Sequence, residues 1–265
     1  MDDSYIFFDK SFRDNLLKKI GRPEEKLEFS KILDNIRLSF EKAKPVFSGF
    51  LDPIKTTKFM RTLDNAGFGY IAAYGGYDDS ERKMIGVSPF DAQMNFPISV
   101  IDIICSGYGK SLTHRDFLGA MMGLGVSRFN IGDIVISSDG AKALVSDKIA
   151  GYIADNLVKT ANVGVKAVVK DAKDVFFPLV ARAEKTIFAP SPRLDAIISA
   201  AFGLSRSSSR DKKRVSKTLV NWLPADDLSK TANENDIITV RGLGRAEVKK
   251  ITRKKDGYAV TVIVY

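Results

Sequence analysis

Apolar residues recur every three or four positions in the first part of the chain and in shorter, denser runs further on, and that change of period divides it. Phe12, Leu16, Leu17 and Ile20 fall on one helical face that Gly21 closes. Pro23 and two acids open a second segment, where Phe29, Ile32, Leu33, Ile36 and Phe40 mark another amphipathic face. Gly49 and Pro53 interrupt the pattern, predicting a turn and a further helix towards Leu63. From Gly67 to Asp171, residues 70–74, 98–104, 134–136, 143–145 and 163–169 read as strands, with helices over 113–122 and 147–158 between them. Strands alternating with two helices predict one sheet covered on one face, an α+β sandwich of the ferredoxin-like kind. Residues 170–189 read as a linker.

Beyond the linker the pattern becomes helical again and then β. Ser191 is an expected N-cap with Pro192 at the first helical position, Leu194, Ile197, Ile198, Ala201 and Phe202 form an apolar face, and Gly203 stops the helix. Ser205 can cap a second helix, on which Arg206, Arg210, Lys213 and Lys217 follow at intervals of four, three and four, all on one face, with Arg214 beside them. Strands are predicted over 217–223, 237–240, 246–252 and 258–265, the last two joined by the turn Lys254-Lys255-Asp256-Gly257. The loop Arg241-Gly242-Leu243-Gly244-Arg245 combines glycines that let a backbone approach a phosphate with arginines that supply charge.

Charge sharpens this picture. Residues 182–265 carry 17 Lys and Arg against 9 Asp and Glu, a net of +8 of the chain's +9, so the last third is where a polyanion is expected to bind. Composition, at 45% hydrophobic residues over 265 positions, supports folded domains. The single cysteine, Cys105, lies in an apolar run and reads as a buried structural thiol. With one histidine and one cysteine, histidine-rich and zinc-finger metal sites are excluded, and no cofactor or metal is expected. The charged N-terminus has no continuous apolar core for a signal peptide, and no apolar run reaches a membrane span, so the expected location is the cytoplasm, without membrane contact.

Three local motifs mislead. His114-Arg115-Asp116 copies the catalytic-loop triplet of protein kinases, but the asparagine, glycine-rich loop and Asp-Phe-Gly that must accompany it are missing. Gly75-Gly76 lacks the Gly-Lys-Ser/Thr of a P-loop and reads as a turn. Arg193-Leu194-Asp195 has the letters of the pseudouridine synthase triplet, without its preceding glycine and following threonine.

Arg193-Leu194-Asp195, Ser205-Arg206, Val220-Asn221 and Asp236-Ile237-Ile238 resemble the S4 RNA-binding domain. Further matches make the chain similar to one S4-containing family, the YlmH-like proteins of bacteria and plastids. They are Phe50-Leu51-Asp52-Pro53, Gly75-Gly76-Tyr77 with Glu81-Arg82-Lys83, His114 to Ala120, Leu124-Gly125-Val126, Arg128, Ile131-Gly132-Asp133-Ile134, Val220-Asn221-Trp222 and Arg241-Gly242 with Gly244-Arg245. The matches run from about residue 47 to 265. The chain departs from the family pattern at Lys212 and Lys213, where apolar residues are usual, and at Ser216, where glycine is usual.

The resemblance implies a helical N-terminal domain (1–66), a ferredoxin-like central domain that also touches RNA (67–172) and a C-terminal S4 domain of two helices plus a small β-sheet (182–265). It implies a non-enzymatic monomer that binds ribosomal or transfer RNA on the large ribosomal subunit in ribosome-associated quality control. It also carries a historical link to cell division. Arg193, Ser205, Arg206, Arg210, Lys213, Arg214, Lys217, Asn221, Arg241 and Arg245 are the expected RNA contacts, with His114, Arg115 and Arg128 as a second surface. No catalytic residue is expected. The alternatives are an RNA-modifying enzyme and a cell-division adaptor that docks through its N-terminal helices.

Overall fold

The computed structural model describes residues 9–106, 112–175, 177, 183–205 and 218–264. The fold is mixed α+β, in two compact units, Met1–Phe177 and Pro178–Tyr265.

The first unit opens with α1 (Lys10–Lys18) and α2 (Pro23–Lys42), followed by β1 (Val46–Phe47), α3 (Pro53–Asp64), β2 (Ile71–Tyr74) and β3 (Met84–Val87). Pro23 starts α2 at a position where a missing N–H costs nothing, and Ala43 ends it in the left-handed conformation. Asp52 caps α3, its carboxylate accepting from the Lys55 N–H at 2.9 Å. β2 belongs to a three-stranded sheet, β1-β3-β2, where sequence alone had placed it in the central sheet. The reason is packing. Ile85, Val87 and Phe68 share one core with Leu16, Phe29, Ile32, Phe59 and Leu63, so these strands are the floor on which the N-terminal helices rest. The expected boundary near residue 66 falls inside that core.

Next come β4 (Ile98–Cys105), α4 (His114–Gly123), β5 (Ile131–Ser137), β6 (Gly140–Ser146), α5 (Asp147–Asn156), β7 (Lys159–Thr160) and β8 (Val163–Asp171). Their sheet order, β5-β6-β4-β8-β7, is antiparallel throughout. Without the short β7 this is a βαββαβ unit with the first strand between the third and fourth, the ferredoxin-like topology. Strand alternation divides the two faces. Ile101, Ile103, Ala141, Ala143 and Val165 pack against Phe117 and Met121 of α4 and Ala150 and Ile153 of α5. Ile98, Val100 and Leu144 point the other way, onto Phe50, Met84 and Phe177. A capping box between Thr113 and Asp116 starts α4. Cys105 is half-buried, less enclosed than expected; burial, then the Asp139 charge, raises its thiol pKa, which suits an inert group.

The second unit contains β9 (Ala183–Ala189), α6 (Leu194–Phe202), β10 (Thr218–Val220), β11 (Leu223–Pro224), β12 (Ile237–Val240), β13 (Gly244–Lys254) and β14 (Gly257–Val264). They form one antiparallel sheet, β11-β10-β12-β13-β14-β9, with α6 against one face. Three details correct the sequence reading. Part of the expected linker is β9, an edge strand that pairs with Tyr258–Val264 of β14. Only Ile187 and Ala189 of it are buried, too few to stand out as a period-two pattern. The predicted strand 217–223 breaks into a hairpin at Asn221-Trp222. Helix α6 starts later than expected, with Arg193 in the N-cap position. Gly203 ends α6 in the left-handed conformation, as predicted.

Candidate nucleic-acid interface

Arg206, Arg210, Lys213, Arg214 and Lys217, the predicted cation row, lie outside the described residues, as do Lys212 and Ser216. The remaining predicted contacts divide by what their side chains do. Arg193 grips Asp195 with two hydrogen bonds of 3.0 Å, and Asp195 is buried, so this arginine is committed to the start of α6. Asn221 is a turn staple. Its Nδ2 donates to Asp236 Oδ1 at 2.8 Å and its Oδ1 accepts the Ile237 N–H at 2.9 Å. Ser205 is exposed just beyond α6. Arg241 is exposed on the tight turn between β12 and β13, where Gly242 has φ +85°. Arg245, the last residue of the predicted loop, sits on β13 itself; its Nε donates to the Thr239 hydroxyl at 3.2 Å. Its guanidinium lies 5.9 Å from the centre of the Trp222 ring.

The β13–β14 hairpin adds cations that the sequence reading left out. Lys249, Lys250, Arg253, Lys254 and Lys255 are all exposed along its length and around its tip. Lys249 pairs with Glu247 at 2.5 Å. The signal was available, because 249–255 holds five cations in seven residues beside a predicted turn.

In the first unit, Arg128 does not belong to a free surface. Its Nη1 donates to the carbonyls of Ile131 at 2.6 Å and Gly132 at 3.2 Å. Arg82 faces it, donating from Nε to Ile131 O at 3.1 Å and from Nη2 to Phe50 O at 2.9 Å and Arg128 O at 3.3 Å. Burial, then the nearby Arg82 charge, brings the Arg128 pKa down to about 10; burial lowers that of Arg82 as well. Asp133 completes the knot by accepting the N–H groups of Glu81 (2.6 Å) and Arg82 (3.0 Å) and the Tyr77 hydroxyl (3.2 Å). Burial outweighs those hydrogen bonds and raises the Asp133 pKa. Tyr77 in turn stacks on Phe177 with ring centres 4.6 Å apart. Two glycines permit this close approach: a Cβ on Gly132 would come within 2.7 Å of the Phe50 ring, and one on Gly76, at φ +103°, would overlap Leu144. The arrangement ties the three-stranded sheet to the central one. It is structural.

His114 and Arg115 are exposed at the start of α4, whereas Arg128 spends its guanidinium on the Ile131 and Gly132 carbonyls. The sheet offers a different surface. On the face away from α4 and α5, β6 and β8 present Lys142, Lys166 and Lys170 around Asp102. Asp102 pairs with Lys170 at 2.6 Å and Lys142 at 3.3 Å. Burial alone would raise its pKa, but the two ammonium groups hold it below the ordinary value. Ile104, 40% exposed, lies among these lysines. Among the described residues no group of acidic, histidine and cysteine side chains could hold a metal ion, and no helix is long and apolar enough to cross a membrane.

The class defined by this geometry is an α+β chain that joins a ferredoxin-like sheet to a β-rich unit with an exposed basic hairpin. Residues 91–174, which span that central sheet, match the family described as "Putative RNA-binding domain in YlmH". The chain is 29% identical over 245 residues to "Ribosome-associated protein quality control protein P2" of Bacillus subtilis (strain 168), covering 91% of this chain and 95% of that protein. It also resembles the solved structure of "Cell division protein ylmH from Streptococcus pneumoniae", with a TM-score of 0.50 and 18% identity over 59% of this chain and 97% of that one, a likeness of fold. The resemblance to YlmH-like proteins read from the sequence is borne out.

Proposed function

We propose that this chain is a non-enzymatic, cytoplasmic RNA-binding protein of ribosome-associated quality control, acting as a monomer on structured ribosomal or transfer RNA of the large subunit. The observation that carries the reading is where exposed cations stand. Arg82, Arg128 and Arg193 serve carbonyls or a buried carboxylate, whereas Arg241 and the cations of the β13–β14 hairpin are exposed in the part of the chain that holds +8 of its +9 charge. Such contacts position a protein on RNA by shape and phosphate geometry, and they need no catalytic group. Residues 182–265 form an S4 domain, whose RNA contacts are Arg206, Arg210, Lys213, Arg214 and Lys217 together with Ser205, Arg241 and Arg245. The central sheet adds a weaker contact through Lys142, Lys166 and Lys170. The description of the family matched by residues 91–174 supports an RNA contact by the central sheet, and the name of the Bacillus relative supports a ribosome-associated role.

Co-sedimentation with purified ribosomal subunits tests it. The wild-type chain pellets with the large subunit and releases steeply as salt rises, because each neutralised phosphate sets counterions free. Replacing Arg206 and Arg210 together by glutamate abolishes pelleting while the thermal melt stays unchanged. Undiminished pelleting of that variant at moderate salt overturns the proposed surface.

A further inference from the structure

We infer that Trp222 is a stacking platform for an unpaired RNA base, held in place by Arg245; this rests on the RNA-binding reading above and adds to it a contact that phosphate geometry does not provide. The β10–β11 hairpin turns through Asn221 and Trp222, both left-handed, at φ +49° and +64°. A two-residue turn of this handedness ordinarily takes Asn followed by Gly, because a side chain at the second position is strained there. Asn221 fits that rule, and its amide bonds to Asp236 and Ile237 hold the turn closed. Trp222 breaks it, placing the largest side chain where none is favoured. Strain of this kind persists only where the surrounding structure imposes it, and it gathers at ligand sites.

What the strain achieves is placement. Trp222 is half-buried, Arg245 reaches it from β13, and the neighbouring Leu223 is 56% exposed. The indole N–H is buried with no acceptor, so the ring is not anchored by its polar edge. Its position instead depends on the turn and on the guanidinium over its π-face. An aromatic ring backed by a cation, on the edge of a strongly basic unit, has the makings of a single-strand site: the cation draws the phosphate chain and the ring takes the base. The occupant is a single unpaired nucleotide of RNA. A continuous duplex keeps its bases stacked on each other and has none to give.

Trp222 is the only tryptophan in the chain, so its emission reports the ring directly. The experiment titrates the full-length protein at low salt with two RNAs, an unstructured oligoadenosine and a blunt-ended duplex, following tryptophan emission and the anisotropy of labelled RNA together. Oligoadenosine is expected to bind and quench the emission; the duplex binds without quenching. Trp222→Gly puts the favoured residue in the turn, so it should melt no lower than wild type yet bind oligoadenosine roughly five- to a hundredfold more weakly. Trp222→Phe should retain most of the affinity. Binding of both RNAs with unchanged emission, or equal oligoadenosine affinity in Trp222→Gly, overturns the stacking site and leaves the RNA-binding reading standing. No binding of either RNA overturns both.

Discussion

Arg82 and Arg128 of the first unit do the opposite job to Arg241 and Arg253 of the second. In Met1–Phe177, Arg82 and Arg128 turn inward and give five hydrogen bonds to the carbonyls of Phe50, Arg128, Ile131 and Gly132. In Pro178–Tyr265, Arg241 and Arg253 are exposed, one on the β12–β13 turn and one near the end of β13. A motif rich in arginine therefore does not by itself mark an anion site. A guanidinium that has lost water to backbone carbonyls is a brace, and one that keeps its water is available to a phosphate.

On that contrast, changes at the inward arginine knot of the first unit should cost stability and changes at the exposed cations of the second should cost binding. The largest effect is expected for Gly76→Ala. It forces an L side chain into a φ of +103° and against the fully buried Leu144, destabilising by roughly 3 kcal/mol or more in a denaturant melt. Arg82→Ala comes next, at about 2–3 kcal/mol, since it leaves part-buried carbonyls without donors. RNA affinity measured on whatever fraction remains folded should be unchanged; a loss of binding without a loss of stability would erase the distinction between the units.

Asp102→Asn probes the sheet face at intermediate strength, about 1 kcal/mol at neutral pH. The sign of its pH dependence follows from the depressed carboxylate. Its contribution is fully present above the ordinary value of 3.8 and is lost as pH falls through the lower folded-state value. Melts of wild type and variant should converge in acid; a gap that widens on acidification would contradict the two lysine pairs. The smallest stability effect is expected for Arg241→Ala, below about 0.5 kcal/mol. In the same variant the slope of log affinity against log salt should fall by about one, the signature of one lost phosphate contact. An unaltered slope would move Arg241 into the class of braces.

Some of this was legible in the sequence. The ferredoxin-like sheet was, because β4, β6 and β8 carry dense apolar runs and α4 and α5 separate them in the βαββαβ order. The N-terminal helices were, from their spacing and from Gly and Pro at their ends. The three-stranded sheet was not: β1 is two residues long, and Met84–Val87 is buried on both sides, so neither shows alternation. The strand β9 passed for a linker because five of its seven residues are exposed. Arg82, Arg128 and Asp133 were visible as motif residues, but their roles were not. Their partners are backbone groups, and a backbone carbonyl leaves no mark in the letters of a sequence. Arg241 was easier, since an exposed cation in a glycine-punctuated turn needs no partner to be recognised.

The two larger sheets close with edges that another strand would find hard to extend. β11 is two residues long and ends in Pro224, which has no N–H to offer, and β9 puts Glu184 and Lys185 into its exposed run. In the central sheet, β7 is again only two residues, and β5 is kinked by a bulge between Ile131 and Ile134. An unpaired strand edge is a template on which a foreign chain can add a strand. These four edges of the two larger sheets offer none of useful length.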